Sequence, residues 1–331
     1  MAQRPSMIDR LPAIPPVDAD DPLPHLVQRA SEQAAGALAG IEARALGYLQ
    51  ATFPLHLRGP AGSGKTTLAL RLAAQLKRPV MLLVGDASFD TRHLVGSEGG
   101  TRTRRVVDRY ISSVMKVESE TESVWLDRTL TVACTEGCTL IYDEFNRAPP
   151  TANNVLLTVL EERVLVLPKA GRGESYVRVN PDFRAIFTSN PLDHVGTHAA
   201  QDALLDRLVT IDLEGFDRAD EIRIVAQRSG LSAAASSRIV DVVRDFRASR
   251  EYVQRPTVRA ALMIAELAAR QNLRVASDDG RFVQLCLDIL GAKLKPAADG
   301  APQPQQRALL QKLIDHFCPP GGGRAARGTA S

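Results

Sequence analysis

Along residues 53–191, the apolar and polar positions form strand-type patterns and a helix-type pattern in succession. Short apolar runs such as FPLHLR at 53–58 are typical of strands, whereas TTLALRLAAQLK at 66–77 repeats leucine every four residues, as one face of a helix does. Two further apolar runs end in polar residues, the pattern of buried parallel strands: CTLIYDE at 138–144 and FRAIFTSNP at 183–191. This succession predicts an α/β fold with a parallel sheet between layers of helices.

A hairpin pattern and a helical pattern account for much of the remainder. RVLVLP at 163–168 and SYVRVNPDF at 175–183 alternate apolar and polar residues on either side of a Gly-rich turn, which predicts a β-hairpin. RADEIRIVAQRSG at 218–230 and RPTVRAALMIAELAARQN at 255–272 have helical periodicity, and we expect Pro256 in the first turn of the latter helix. The patterns predict four parts: a flexible N-terminal arm at 1–30, an α/β domain at 31–215, a smaller all-helical domain at 216–318 and a disordered tail at 319–331.

Composition and charge narrow the class of protein. The chain has 331 residues, a net charge of +3 and four cysteines. This balance gives no electrostatic case for nucleic acid or a membrane as partner, and the cysteines are too sparse for a disulfide framework. No apolar run approaches the ~18 residues of a membrane span, and the N-terminus lacks the apolar core of a secretory signal. We expect a cytoplasmic protein that binds neither nucleic acid nor a membrane.

The segment GPAGSGKT at 59–66 matches the phosphate-loop pattern G-x-x-x-x-G-K-[ST] in full and lies between the strand and the helix, as that motif requires. Its glycines allow positive φ, so that backbone N–H groups point at phosphate oxygens. We expect Lys65 to reach the β- and γ-phosphates of a nucleotide and the Thr66 hydroxyl to bind Mg²⁺. The expected nucleotide-binding residues of this segment are Gly59, Pro60, Ala61, Gly62, Ser63, Gly64, Lys65, Thr66 and Thr67.

Polar residues at the ends of two predicted strands would supply the rest of a hydrolytic site. Asp143 would hold the Mg²⁺ shell, and Glu144 would polarise the attacking water. Asn190 would emerge at the same sheet edge and hold that water or the γ-phosphate without adding negative charge. Each has a structural alternative, an acidic turn for the two carboxylates and a turn residue before Pro191 for the amide.

Two arginines have both a structural and a functional interpretation. Arg207 ends a short predicted helix, where it would either cap helix carbonyls or act as an arginine finger on the γ-phosphate of a neighbouring subunit. Action in trans would require a ring. Arg259 falls in the first turn of a predicted helix, where the helix dipole disfavours a cation. That position indicates either an anion nearby or a surface salt bridge.

The order of these motifs resembles the AAA+ ATPases, and the hairpin before Asn190 with the extra stretch at about 92–126 resembles their MoxR branch. Several phrases also resemble the gas vesicle protein GvpN family, over roughly residues 30–275: LRGPAGSGKTTLAL, LVGDASFDTRHLVG, WLDRTLTVACTEGCTLIYDEFNRAPPTANNVLLTVLEE, FRAIFTSNP and HVGTHAAQDALLDRLVTIDL.

The resemblance implies an AAA+ fold with a helical lid and an ATPase that uses ATP and Mg²⁺. It makes Asn190 sensor 1, Arg207 the finger and Arg259 a candidate sensor 2, with Arg255 as the nearby alternative. It further implies an accessory protein of gas vesicle assembly, associated with the vesicles. That protein would work as a homo-oligomeric ring, expected to be a hexamer, and remodel shell subunits or an accessory partner.

Alternative functions remain open at the level of sequence. One keeps the ATPase but changes the client, as a MoxR-type activator of a metalloenzyme or carboxylase. Another is a nucleotide-binding scaffold without turnover, although Glu144 and Arg207 would then have no purpose. A nucleic-acid motor is disfavoured because the predicted hairpin has few basic residues and only Tyr176 as an aromatic on which a base could stack.

Overall fold

A computed structural model of the protein describes residues 23, 27–28, 38–108, 116–167, 175–191, 202–294 and 304–321. The chain divides into two compact units, one of Met1–Gly59 and Lys65–Leu213, the other of Pro60–Gly64 and Glu214–Ser331. The division expected after residue 215 stays a prediction, as do the roles of the two parts as nucleotide-binding domain and lid. The expected arm and tail lie largely outside the described residues.

The first unit is built on a five-stranded sheet in the order β2-β5-β8-β1-β9, in which all neighbours are parallel. This confirms the predicted parallel sheet. Because β8 lies between β1 and β5, the carboxyl ends of these three strands meet at one edge. The nine strands of the described chain are β1 Leu55–Arg58, β2 Val80–Val84, β3 Gly96–Asp108, β4 Lys116–Asp127, β5 Thr139–Asp143, β6 Val164–Leu167, β7 Ser175–Arg178, β8 Arg184–Ser189 and β9 Val209–Asp212.

Helices cover both faces of this sheet. Ile141 and Ile186 belong to a buried cluster with α1 and α2, whereas Tyr142 and Phe187 belong to a separate cluster on the other side. This alternation follows from the two-residue period of a strand, so β5 and β8 are buried on both faces. The helices of this unit are α1 Ala39–Gln50, α2 Lys65–Leu76, α3 Thr91–Val95, α4 Thr129–Glu136, α5 Pro150–Asn153, α6 Val155–Glu161 and α7 Asp202–Leu205, with a 3₁₀ turn at Phe145–Arg147.

Two antiparallel hairpins stand outside the main sheet. Strands β6 and β7 pair from Val164↔Arg178 to Leu167↔Ser175, which confirms the hairpin predicted before Asn190. Strands β3 and β4 pair with each other between α3 and α4, in the region of the expected insertion. The insertion is therefore a β-hairpin, a structure that its sequence pattern did not predict.

The second unit is helical in its described part, with the Tyr252–Leu294 bridge as its one β pairing there. Gly230 ends the first helix in the left-handed conformation, φ 71°, as the sequence predicted. Side chains cap the N-termini of four helices and satisfy backbone N–H groups that have no partner within the helix. The helices are α8 Arg218–Ser229, α9 Ala233–Ser249, α10 Val258–Arg270, α11 Gly280–Gly291 and α12 Pro304–Phe317.

One helix start differs from the prediction. Pro256 precedes α10 instead of lying in its first turn, because the side chain of Thr257 accepts a hydrogen bond from the Arg259 N–H and so acts as the N-cap.

Among the described helices, none combines the length and the apolar character needed to cross a bilayer.

Candidate nucleotide site

The loop between β1 and α2 has a tight turn at its centre. The N–H and the hydroxyl of Ser63 both donate to the Pro60 carbonyl, at 3.3 and 2.9 Å. Gly62 and Gly64 have φ of 82° and 84°, values that residues with a Cβ rarely adopt. Successive N–H groups in such a turn form a concavity that binds anions. The backbone of this loop therefore has the local conformation that the phosphate-loop prediction requires.

Two contacts hold the ends of the loop. The Gly59 N–H donates to the Ser189 carbonyl at 3.2 Å, which ties the loop to the end of β8. Lys65, at the start of α2, is buried, and its Nζ donates to the Gly59 carbonyl at 2.8 Å. The lysine side chain thus folds back towards the start of the loop.

The two residues predicted to hold a metal ion lie in contact. The Thr66 hydroxyl of α2 donates to the Asp143 carboxylate of β5, at 3.0 Å from Oδ1 and 3.1 Å from Oδ2. Hydroxyl and carboxylate oxygens are ligands of the kind that Mg²⁺ prefers. In the part of the chain that is described, no three His, Cys, Asp or Glu side chains form a metal cluster. The donor set fits Mg²⁺, which commonly takes one or two protein ligands and completes its shell with phosphates and water.

Glu144 has an unusual backbone conformation at the end of β5. Its φ of 53° and ψ of 41° are left-handed, which costs about 1–2 kcal/mol in a residue with a Cβ. Its N–H donates to the Thr188 hydroxyl at 2.9 Å, and its carbonyl accepts from the Arg147 N–H at 2.9 Å. Its carboxylate pairs with the Arg147 guanidinium at 2.7 Å. The conformation is therefore held by the β8 strand on one side and by the following 3₁₀ turn on the other.

Gly85, just after β2, packs against the same backbone. Its N–H donates to the Asp143 carbonyl at 2.8 Å. A Cβ placed on Gly85 would lie 2.2 Å from the Glu144 carbonyl oxygen, closer than any real contact. Glycine is needed here because the backbone of the neighbouring strand end passes directly over it.

Asn190 follows β8 directly and is buried, with 6% of its surface exposed. In the sheet, Ser189 pairs with Arg58 at the end of β1, and Tyr142 of β5 pairs with Phe187. These registers place Asn190 between the start of the phosphate loop and the Asp143–Glu144 pair. The structure thus brings together Lys65, Thr66, Asp143, Glu144 and Asn190 at one edge of the sheet.

Arg207 is not at the end of its helix, which corrects the prediction. Helix α7 ends at Leu205, and Arg207 lies in the following turn, where its N–H donates to the Leu204 carbonyl at 3.1 Å. Its Nε donates to Glu161 of α6 at 2.8 Å, and its Nη1 donates to the Ala203 carbonyl. The carbonyl-capping interpretation therefore describes a contact that the chain makes. The finger interpretation stays a proposal.

Arg259 lies in the first turn of α10, in the second unit, and is exposed. Neither Arg259 nor Arg255 forms an ion pair within the described part of the chain, so the salt-bridge alternative gains no support there. In the same unit, a Cβ on Gly62 would lie 2.9 Å from the Thr257 Cβ. Gly62 therefore lies against the N-cap of the helix that carries Arg259.

Comparison with known proteins identifies the family. The model of the AAA domain (dynein-related subfamily) matches residues 54–208. The chain is 52% identical over 278 residues to the gas vesicle ATPase GvpN of Ancylobacter aquaticus, covering 83% of this chain and 78% of that protein. The chain belongs to the GvpN family of AAA+ ATPases. It is also 42% identical to the gas vesicle ATPase GvpN of Haloferax mediterranei, over 80% of this chain and 75% of that protein.

A solved structure supports the fold of this GvpN family member. NtrX from Brucella abortus, crystallised in complex with ADP, matches with a TM-score of 0.51 and 16% identity, over 88% of this chain and 62% of that one. At this identity the likeness shows the fold alone. The match to the AAA domain, together with this likeness of fold, confirms the AAA+ fold predicted from the order of the motifs.

Sequence reasoning missed two buried residues that support this edge of the sheet. Thr188 of β8 bonds to both Asp143 and the Glu144 N–H. His56 of β1 is buried and lies 2.8 Å, at Nε2, from the Ser189 Oγ and 3.1 Å, at Nδ1, from the Thr210 Oγ1. Burial, reinforced by the charge of Arg58, lowers the pKa of His56 to about 4 against an opposing effect of Asp212. Thr188 had one signal in the sequence: the two-residue period of a strand places residues 188 and 190 on one face.

Proposed function

We propose that the chain hydrolyses ATP at this edge of the sheet and uses the cycle to remodel gas vesicle shell subunits, or an accessory partner, during vesicle assembly. The contact between Thr66 and Asp143, 77 residues apart in sequence, carries the proposal. It joins the phosphate loop to the acidic strand, and Glu144 and Asn190 follow on the same edge. The relatives named gas vesicle ATPase support ATP as nucleotide and gas vesicles as the setting.

Each residue has a role that its position allows. The loop N–H groups and Lys65 would bind the phosphates, and NtrX, with ADP bound, offers a precedent on the same fold. Thr66 and Asp143 would hold Mg²⁺, which supplies charge neutralisation for the phosphates when bound. Glu144 would accept a proton from the attacking water, and the Asn190 amide would orient that water or the γ-phosphate.

Glu144 must be able to leave Arg147 in order to act on water. The side chains of this pair are 35% and 45% exposed, respectively. Pairs this exposed contribute about 0–1 kcal/mol, so the exchange of partner has a low cost. The Glu144–Arg147 contact is therefore compatible with a catalytic carboxylate.

The exposure of Arg207 and of its partner supports the proposed role of Arg207 in trans. Its side chain is 29% exposed and that of its partner Glu161 is 59% exposed. A γ-phosphate from a neighbouring subunit would offer the guanidinium a more highly charged, bidentate partner than this surface carboxylate. A homo-oligomeric ring, proposed as a hexamer, would supply that neighbour.

The β6–β7 hairpin is the proposed contact with the client. Val166 and Tyr176 are cross-strand neighbours, and they are 38% and 61% exposed. An exposed apolar pair of this kind suits an apolar segment of another protein. The β3–β4 hairpin would be the second moving part.

Phosphate release by the purified chain, measured across a protein concentration series, tests the enzyme. Lys65→Ala should abolish nucleotide binding, whereas Glu144→Gln should bind ATP and lose turnover, because it keeps the loop and removes the base. If turnover depends on a ring, wild-type specific activity should rise with protein concentration. Glu144→Gln with wild-type turnover would contradict the assignment of the base.

Mixing inactive variants tests action in trans. Arg207→Ala retains an intact Lys65, and Lys65→Ala retains an intact Arg207. In a mixed ring some interfaces therefore combine a normal loop with a normal arginine, and partial activity should return. Glu161→Gln is the matched control, because it removes the partner of Arg207 without removing the guanidinium. If the mixture stays inactive while mixed rings form, the shared-site proposal fails.

Vesicle formation tests the biological setting. Cells that express a gas vesicle gene set with this chain should form vesicles visible by electron microscopy, and Glu144→Gln should not support them. If the variant supports vesicles as well as wild type does, the non-hydrolysing scaffold is the better function. If removal of the chain leaves vesicles unchanged, the client is another protein, as for a MoxR-type activator.

A further inference from the structure

We infer that Thr188 is a positioning residue for hydrolysis, which sets both the carboxylate of Asp143 and the backbone of Glu144. This inference rests on the proposed function, since it concerns the same site. Thr188 is fully buried on β8, the strand next to β5. Its hydroxyl contacts Asp143 Oδ1 and lies 2.9 Å from the Glu144 N.

The direction of these hydrogen bonds is fixed by chemistry. A hydroxyl has one hydrogen to donate and two lone pairs that accept, whereas a carboxylate only accepts and an N–H only donates. Thr188 therefore gives its hydrogen to Asp143 and accepts the N–H of Glu144. One oxygen atom orients the group proposed to hold the metal and the residue proposed to activate water.

The backbone at Glu144 needs such support. Its left-handed conformation is unfavourable for a residue with a Cβ, and Gly85 packs so closely on the other side that no side chain fits there. Without the Thr188 hydroxyl, the Glu144 N–H would lose its hydrogen-bond partner in a partly buried position. The Glu144 backbone, and with it the position of the Glu144 carboxylate, would then no longer be fixed relative to Asp143.

Thr188 also supports Asp143 independently of the phosphate loop. Asp143 accepts from Thr66, which belongs to α2 and is itself a proposed metal ligand, and from Thr188, which belongs to the sheet. A contact from the sheet does not depend on the position of the loop. Partners of this kind behind a metal ligand typically change metal affinity or activity by about 10- to 100-fold when they are removed.

The test compares three substitutions in the full-length chain. Thr188→Val removes the hydroxyl and keeps the shape, and Thr188→Ser keeps the hydroxyl. Thr139→Val is the matched control, because Thr139 is a fully buried threonine on the adjacent β5 whose hydroxyl has no hydrogen-bond partner in the described structure. The measurements are kcat and KM for ATP, the Mg²⁺ concentration that half-saturates the protein with a fluorescent ADP bound, and ADP affinity in EDTA.

We expect Thr188→Val to lower kcat by about 10- to 100-fold and to lower the affinity for Mg²⁺ by a similar factor. The affinity for ADP in EDTA should stay within about twofold of wild type. Thr188→Ser and Thr139→Val should stay within about threefold of wild type in every measurement. The inference is overturned if Thr188→Val keeps wild-type kcat and Mg²⁺ affinity, if Thr188→Ser is equally impaired, or if Thr139→Val loses as much. A wild-type chain without ATPase activity would instead count against the proposed function.

Discussion

His56 makes stability depend on pH in a way that can be calculated. It is 2% exposed, and burial lowers its pKa from 6.5 to about 4, with Arg58 acting in the same direction. The unfolded chain therefore binds more protons than the folded chain as the pH falls from about 6.5 towards 4. Above that range both states carry a neutral ring, so His56 has no effect on the pH dependence. Within it, the free energy of unfolding falls with falling pH.

The two pKa values give the size of the effect. Between pH 7 and pH 5, protonation of His56 in the unfolded state lowers the free energy of unfolding by about 2 kcal/mol. In a unit of this size, that corresponds to a fall of about 4–8 °C in the midpoint of thermal unfolding. His56→Gln removes the titration while it keeps an amide that can bond to Ser189 or Thr210.

Urea unfolding of wild type and His56→Gln at pH 8, 7, 6 and 5 measures this contribution. Other titrating groups affect both proteins, so the difference between the two isolates His56. We expect the difference to be constant at pH 8 and 7 and to shift by about 2 kcal/mol, to the disadvantage of wild type, at pH 5. If the two proteins show parallel pH dependence within about 0.5 kcal/mol, His56 does not titrate as its burial requires, and the reasoning is refuted.

Further predictions concern Gly85, with Gly47 as its control, then Glu161 and Phe145. Gly85→Ala should displace the Glu144 carbonyl and lower ATP turnover at least about tenfold. Gly47 is exposed in α1 with open space around it, so Gly47→Ala should raise the free energy of unfolding in urea by about 0.5–1 kcal/mol. Glu161→Gln should change the free energy of unfolding by no more than about 1 kcal/mol and keep ATPase activity, because its pair is exposed; a loss of turnover would mean that Glu161 itself positions the finger. Phe145→Ala should cost about 3–5 kcal/mol by the same unfolding assay, since the ring is 1% exposed and packs edge-on against Phe187; a cost below 1 kcal/mol would contradict that packing.

Local patterns in the sequence were sufficient for much of the fold. The runs at 139–143 and 184–189 are strands because apolar residues at their centres fill both faces of a buried parallel sheet, whereas the run at 55–58 buries Leu55 and Leu57 on one face. These compositions are visible without a structure. The β6–β7 hairpin was visible through a different signal, the alternation of apolar and polar residues around a Gly-rich turn. The motif order then implied which strand ends meet.

Element ends and the insertion were harder to predict. Helix α10 starts after Pro256 because the Thr257 side chain caps it with one hydrogen bond, and α7 ends at Leu205, before Arg207. Periodicity reports neither boundary. The β3–β4 hairpin has no long apolar run, so its pattern did not distinguish strand from loop. The grouping of Pro60–Gly64 with the second unit depends on packing between segments far apart in sequence.

The contacts of Thr188 and Ser189 were outside the reach of pattern reasoning, because they join single polar atoms across 44 to 133 residues of sequence. They converge on the end of β8. Ser189 bonds through its hydroxyl to His56 of β1 and through its carbonyl to the Gly59 N–H, while Thr188 bonds to Asp143 and Glu144 of the next strand end. Asn190 continues the same backbone.

One strand end is therefore tied to the phosphate loop on one side and to the acidic residues on the other. A strand is stiff along its length, and successive side chains emerge on opposite faces. A shift of Asn190 towards or away from a phosphate would consequently move Ser189 and Thr188 with it, and through them the start of the loop and the backbone of Glu144. This coupling predicts that Thr188→Val and Asn190→Ala together should impair turnover by less than the product of their separate effects.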